Sequence, residues 1–186
     1  TAERIWVVDP IDGTNNYLKG LPEFAVSVAL IADGRALMGA VYNPAANEMF
    51  EAVAGDGARL NGETISVSDC AEIADASILA SRSERREAGW PERFSAENVH
   101  AISSIAYKLA MIAEGRYDAT ASPWPKADWD ICAGCLLVAE AGGTITSIAG
   151  KDLRFNKEQP KHETCLASNG YLHEALKSEL GKWAEK

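Results

Sequence analysis

The chain has 186 residues and a formal net charge of −9, with 47% hydrophobic and 24% charged residues. That size and balance suit one domain with a sizeable core and exclude a disordered chain, while the acidic surplus excludes a general polyanion-binding surface. No apolar run approaches the roughly 18 residues of a membrane span, and the four cysteines, Cys70, Cys132, Cys135 and Cys165, are too sparse for a disulfide scaffold. The expected setting is therefore a reducing cytoplasm, with neither a membrane nor a nucleic acid polymer as partner. The chain opens at Thr1 without a leader-like segment, and it reads as the later part of a longer protein.

Residues 5–8 predict a short strand that stops at the Asp9-Pro10 turn. Residues 24–32 alternate and are valine-rich, and Asp33-Gly34 turns them into residues 37–42, a hairpin signal. Residues 48–54, 58–60 and 64–67 extend the meander, punctuated by Asp56-Gly57 and Asn61-Gly62. The first half thus reads as an antiparallel sheet with little helix. The charged stretch 82–97 reads as an exposed connection. Beyond it, Ile102, Ile105, Ala106, Leu109, Ile112 and Ala113 share one face at helical spacing, and Gly115 closes that helix. A strand at 117–121, a helix at 131–141 ended by Gly142-Gly143, strands at 144–148 and 164–167, and a closing helix at 172–185 follow. Helices and strands alternating after a meander predict stacked layers of sheet and helix.

Two segments carry chemistry. In Trp6-Val-Val-Asp9-Pro10-Ile11-Asp12-Gly13-Thr14 a strand delivers Asp9 at its end, and the bend at Pro10 returns Asp12 beside it. Carboxylates three residues apart on such a bend suit a hard cation such as Mg²⁺, and the Ile11 carbonyl adds an oxygen. Gly13 and Thr14 offer backbone N–H groups for an anion at a helix start. An aspartyl-nucleophile site needs Asp-x-Asp, and the spacing here is Asp-x-x-Asp. The second segment is Asp128-Trp129-Asp130-Ile131-Cys132-Ala133-Gly134-Cys135. Asp130 reads either as a helix cap or as a third carboxylate for a metal pair, and the small residues behind it let the helix approach a sheet closely.

Residues 6–17 and 129–143 resemble the two signature motifs of the inositol monophosphatase superfamily of Mg²⁺-dependent phosphatases, nearly position for position. Gly39-Ala-Val-Tyr-Asn-Pro44 and residues 55–62 look like it too, so the resemblance spans essentially the whole chain. It implies an α/β (α+β) fold, a layered α-β-α-β-α sandwich of the sugar-phosphatase type, with residues 1–186 forming one phosphatase domain that lacks its N-terminal segment. It further implies hydrolysis of a small phosphate ester by water with two or three Mg²⁺ ions, lithium sensitivity and a homodimer. Asp9 is then the bridging metal ligand, the Ile11 carbonyl binds the first metal, and Asp12 and Asp130 bind the second. The Gly13 and Thr14 amides hold phosphate, and the Thr14 hydroxyl positions water. A further metal-binding glutamate of the family lies upstream of its first motif. Ser104 and Lys108 fall on the substrate loop, and Lys126 falls just ahead of the second motif. Lysines at 108 and 126, where inositol phosphatases favour acidic groups, resemble the 3′(2′),5′-bisphosphate nucleotidase branch, which acts on 3′-phosphoadenosine 5′-phosphate. A fructose 1,6-bisphosphatase-like enzyme and a regulatory or binding member without turnover are the alternatives.

The remaining chemistry-bearing residues read as structural. Cys132-x-x-Cys135 lacks the second pair that a zinc site needs and reads as helix packing. His100, His162 and His173 have no ligand spacing and read as surface residues, and the five tryptophans read as packing groups.

Overall fold

The computed structural model describes residues 3–88 and 94–183. Strand β1 (Arg4–Asp12), the one-turn helix α1 (Thr14–Tyr17) and strands β2 (Ala25–Ala32), β3 (Arg35–Asn43), β4 (Glu48–Val53), β5 (Ala58–Leu60) and β6 (Glu63–Ile65) form the first half. These six strands pair antiparallel in sequence order. Asp33 and Gly34 both take positive φ (50° and 73°), as do Asn61 and Gly62 (50° and 88°), the backbone that a two-residue hairpin turn demands. β1 does not stop at Pro10 as the sequence suggests. It pairs on through Asp12, with a register shift between Asp9 and Asp12, because a bulge absorbs the missing proline donor without ending the strand.

The second half contains β7 (Ile78–Ala80), α2 (Arg82–Glu87), β8 (Val99–Ala101), α3 (Ile105–Ala113), β9 (Ala119–Ser122), β10 (Lys126–Ala127) and α4 (Asp128–Glu140). They are followed by β11 (Thr144–Thr146), β12 (Lys161–His162), β13 (Cys165–Ser168) and α5 (His173–Leu180), which runs into a short 3₁₀ turn, Gly181–Trp183. Five strands form a second, mixed sheet in the order β11-β13-β9-β7-β8, and β10 with β12 makes a separate ribbon. The structure places a helix inside the stretch 82–97, where the sequence predicts only an exposed connection: α2 forms there, and its Glu84 is buried. Residues 89–93 of that stretch, with Trp90, and residues 184–186 of the expected closing helix lie outside the described residues.

Helices α3 and α4 lie between the two sheets. All nine residues of α3 are buried, which fits a helix that is apolar around its circumference except at the ion-paired Lys108. The second sheet separates two cores by its pleat. Leu79 and Ala167 face the α3/α4 layer, whereas Ile78, Ala80, Ala119, Ala121 and Leu166 face a second cluster with Leu172, Leu176, Leu180 and Trp183. The described residues thus stack as sheet, helices, sheet and helix in a layered α/β sandwich. Among them no helix covers the outer face of the first sheet. There Trp6, Leu30, Met38 and Val53 sit in register across four strands, with Trp6 63% exposed. Trp129 is also exposed, so only Trp183 among the described tryptophans is a buried packing group.

Close packing of α4 depends on its small residues. A Cβ at Gly134 would lie 2.6 Å from both Cβ and Cδ1 of Leu109 on α3, and a Cβ at Gly39 of β3 would lie 3.0 Å from the Ala133 Cα. Gly134→Ala is therefore expected to destabilise the protein by about 1–3 kcal/mol through overpacking, despite the better helix propensity of alanine. Thermal or urea denaturation checks it. Cys132 and Cys135 are buried on the same helix, and burial pushes both thiols up, Cys132 to about 12. They are packing groups with no thiolate to offer.

The histidine reading needs correction. His162 and His173 are buried, at 5% and 4% exposure. His162 Nε2 lies 3.0 Å from Asp128 Oδ1, and the two ring nitrogens of His173 lie 2.9 Å from Thr146 Oγ1 and 3.0 Å from Ser168 Oγ. Asp128 and Thr146 come from elements 34 and 27 positions away and Ser168 from the preceding strand, so no ligand-like spacing marks these histidines. Burial also holds the His173 ring below the usual imidazole range.

Candidate metal and phosphate site

The bulge at the end of β1 shapes the first half of the site. Asp9 Oδ1 accepts the Ile11 amide at 3.0 Å, closing the bend. Gly13 follows with φ +88°, and a Cβ there would sit 2.8 Å from the Glu23 carbonyl. Only glycine fits that position. The Gly13 carbonyl then accepts the amides of Asn16 and Tyr17 at 2.8 and 3.1 Å, starting α1. The Thr14 hydroxyl donates to the Ile11 carbonyl at 2.8 Å.

Asp12 is held from the other half of the molecule. Its Oδ2 accepts the Ser104 hydroxyl at 2.7 Å and the Ala106 amide at 2.6 Å, both at the start of α3. The Ser104 oxygen in turn accepts the Tyr107 amide at 3.1 Å, so one hydroxyl caps the helix and fixes the carboxylate. Burial pushes the Asp12 carboxyl up to about 6 against the lowering effect of those two hydrogen bonds, and the charges of Asp130 and Asp9 add to the rise. Asp130 stands in the first turn of α4, where its Oδ2 accepts the Ala127 amide at 2.9 Å. The helix thus starts at Asp128, earlier than the expected 131, and Asp130 is not its N-cap but its third residue, reaching back to the amide of the N-cap Ala127. Burial raises Asp9 and Asp130 as well, and the Asp130 charge contributes to the rise at Asp9.

Asp12, Gly13, Thr14 and Asp130 line one cavity of about 440 Å³. None of Asp9, Asp12 and Asp130 joins an ion pair among the described residues. The charges of Asp9 and Asp130 raise Asp12, and that of Asp130 raises Asp9, while Lys126 lowers Asp130. Asp12 and Asp130 line the cavity, Asp9 and Ile11 do not, and oxygen donors of this kind suit a hard cation such as Mg²⁺. No three His, Cys, Asp or Glu side chains among the described residues lie close enough to cage a metal unaided. The donor set is partial.

The same cavity is lined by Lys108, Lys126, Trp124 and three groups that the sequence reading passed over: Ser81, Ser83 and Glu84. Lys108 is not free to meet a substrate, because its ammonium lies 2.8 Å from Glu84 Oε2 and both side chains are buried. Lys126 is half-buried, with a 3.5 Å contact to the Trp124 carbonyl, and desolvation holds it below the usual lysine range. Arg82 was missed too. It bonds both Glu23 oxygens at 3.1 and 3.2 Å, Asn16 Oδ1 at 3.3 Å and Ser103 Oγ at 3.2 Å, tying α2 to the turn after Gly13. The one local sign of α2 in the sequence is Ser81-x-x-Glu84, a reciprocal helix cap: the Glu84 amide donates to Ser81 Oγ at 3.0 Å and Glu84 Oε2 accepts the Ser81 amide at 2.6 Å.

Comparison with known proteins identifies the family. The family model described as "Inositol monophosphatase family" matches residues 1–184. A Thermotoga maritima protein called fructose-1,6-bisphosphatase/inositol-1-monophosphatase is 34% identical over 178 residues, covering 94% of this chain and 67% of that protein. The Nus factor SuhB of Pasteurella multocida is 37% identical over 153 residues, covering 78% of this chain but 57% of that protein. The chain thus spans between about half and two-thirds of these relatives' lengths. Among solved structures, the Thermotoga maritima IMPase superposes with a TM-score of 0.85 at 32% identity, over 100% of this chain and 71% of that one. The Anabaena inositol monophosphatase gives 0.83 at 31% identity, over 97% and 73%. With the Asp-Pro-Ile-Asp-Gly-Thr bend and the Trp-Asp helix start meeting at one cavity in a shared sandwich, the chain belongs to the inositol monophosphatase family.

Proposed function

We propose that residues 1–186 form the metal- and phosphate-binding domain of a Mg²⁺-dependent phosphomonoesterase acting on a small polyol phosphate such as inositol monophosphate. The observation that carries this reading is Asp12, anchored by Ser104 and Ala106 in the same cavity as Asp130 and the Gly13-Thr14 turn. In this reading Asp9, the Ile11 carbonyl, Asp12 and Asp130 hold two or three Mg²⁺ ions. The bound cations supply charge neutralisation at phosphate and a lowered pKa for water. The Gly13 and Thr14 amides bind the phosphate oxygens. The Thr14 hydroxyl gives its proton to Ile11 and keeps its lone pairs to orient a water molecule. With little covalent work left for the protein, these residues act by positioning and by fixed electrostatics.

Four free cysteines, three of them buried, fit a reducing cytoplasm, and the net charge of −9 speaks against a nucleic acid polymer as partner. The small phosphorylated substrate and the homodimer follow from the family resemblance alone. No described helix is long and apolar enough to cross a membrane. A sugar bisphosphatase is the second reading, favoured by the name of the Thermotoga relative. The nucleotidase reading loses the support of Lys108, whose charge Glu84 takes up.

The test is phosphate release from a panel of esters, with and without Mg²⁺. Release that requires added Mg²⁺, stops with EDTA and falls in millimolar Li⁺ is the expected result. No release from any ester at any Mg²⁺ concentration would leave a binding or regulatory module. Ser104→Ala is expected to lower turnover about 10-fold or more, since it removes both the Asp12 donor and the α3 cap, and to cost about 1 kcal/mol. Steady-state kinetics beside a thermal melt check both parts.

A further inference from the structure

Apart from Asp12 and Asp130, the wall of the cavity carries three charges, and two of them are already matched. Lys108 stands on a helix with every residue buried. Its Nζ lies 2.8 Å from Glu84 Oε2, with the side chains 1% and 2% exposed, yet both residues line the cavity that holds Asp12 and Gly13. Glu84 cannot swing away. The same oxygen accepts the Ser81 amide at 2.6 Å, and the Glu84 amide is tied back to the Ser81 hydroxyl. The helix carrying it is fastened through Arg82 to Glu23, Asn16 and Ser103. The pair is therefore a fixed part of the wall. Beyond it the wall offers Lys126 and the hydroxyls of Ser83 and Ser103.

We propose that Glu84 is the specificity-determining residue of this cavity: by closing an ion pair with Lys108 it withholds that charge from the substrate, and so selects a hydroxyl-rich leaving group over one that carries a second phosphate. The inference rests on the phosphomonoesterase reading above and deepens it. With Glu84 in place the wall presents one net positive charge from two lysines and one glutamate. A second phosphate brings a charge of about −1.5 to −2 at pH 7 and demands charge-assisted donors. A polyol brings hydroxyls, which the serines and Lys126 can pair with. Glu84 acts through Lys108 and is a positioning residue, not a catalytic one.

The experiment compares kcat/KM for inositol 1-phosphate and for fructose 1,6-bisphosphate at one Mg²⁺ concentration, in the protein at its full natural length. The parent is expected to favour the monophosphate. Glu84→Gln frees the Lys108 charge and is expected to move the ratio about tenfold toward the bisphosphate. Glu84→Asp keeps the charge but shortens its reach, and moves the ratio the same way by a smaller factor. Lys126→Met moves it in the opposite direction. Glu84→Gln combined with Lys108→Met restores the net charge of the wall and brings the ratio back toward the parent's. A purely structural role lowers both kcat/KM values together and leaves the ratio where it was. If folded Glu84→Gln and Glu84→Asp keep the parent ratio, the inference is wrong while the phosphatase reading stands. A parent inert toward both esters overturns the two together.

Discussion

Asp12→Asn is expected to lower phosphate release by about 10²–10³-fold with the fold intact. The asparagine amide oxygen can still accept the Ser104 hydroxyl and the Ala106 amide, so the bridge from β1 to α3 survives. What is lost is the charge that would hold a cation. The same change carries a second signature. Burial raises the Asp12 carboxyl from the ordinary 3.8 to about 6. A carboxyl with a raised folded pKa binds its proton more tightly in the native state, so stability falls as pH rises from about 3.8 to about 6. Above that window the ionised, cation-free site is a standing cost. At pH 7 without Mg²⁺, Asp12→Asn is therefore expected to be more stable than the parent by about 1–3 kcal/mol, the upper end being the full shift. Adding Mg²⁺ should stabilise the parent and not the variant. Paired denaturation curves with EDTA and with Mg²⁺, at pH 5 and pH 7, read all of this beside the activity. A variant that stays active, or a parent indifferent to Mg²⁺ in both measurements, would remove Asp12 from the metal site.

The parts of the molecule legible in its sequence are those encoded locally. The meander of the first half was readable because each hairpin carries its own turn chemistry: Asp33-Gly34 and Asn61-Gly62 both take the positive φ angles that their residue types favour. The two acidic segments were readable because a bend at Asp9-Pro10-Ile11-Asp12 and an aspartate in the first turn of α4 are short-range patterns. That Asp12 and Asp130 line one cavity could be named only through the family resemblance, since 118 positions separate them. Glu84 was illegible. A glutamate among arginines reads as a solvated charge, and its partner Lys108 sits in an otherwise apolar helix 24 positions later. His162 and His173 failed for the same reason, since their partners Asp128, Thr146 and Ser168 come from other elements. Local propensity also could not show that β1 runs through its proline, because the bulge depends on pairing with Ser27 and Ala25 of β2.

The largest expected loss of stability comes from Lys108→Met, about 3–5 kcal/mol, the usual cost of leaving one member of a buried ion pair alone. Methionine fills nearly the same volume as the lysine stem, so packing against the neighbours of α3 is kept. What remains is a buried Glu84 carboxylate with the Ser81 amide as its one close donor. In the intact protein burial pushes the Glu84 carboxyl up, but the Lys108 charge and hydrogen bond, the Ser81 amide and Lys126 more than offset it, and it titrates at about 2 instead of 4.5. A carboxyl with a depressed folded pKa contributes stability that is present above its unfolded value and lost as pH falls toward the folded one. The parent should therefore lose stability between about pH 4.5 and pH 2 through this group. In Lys108→Met the sign reverses: desolvation then dominates, the carboxyl takes up a proton readily, and mild acid narrows the gap to the parent. Glu84→Gln added to Lys108→Met leaves two neutral groups of similar shape and is expected to recover most of the loss, since a neutral replacement avoids the desolvation of both charges. Urea midpoints for the parent, the single variant and the double variant at pH 7 and pH 4 decide it. A single variant as stable as its parent, or a double variant no better than the single, would mean that the pair is not the closed, desolvated unit that the geometry of Glu84 and Lys108 describes.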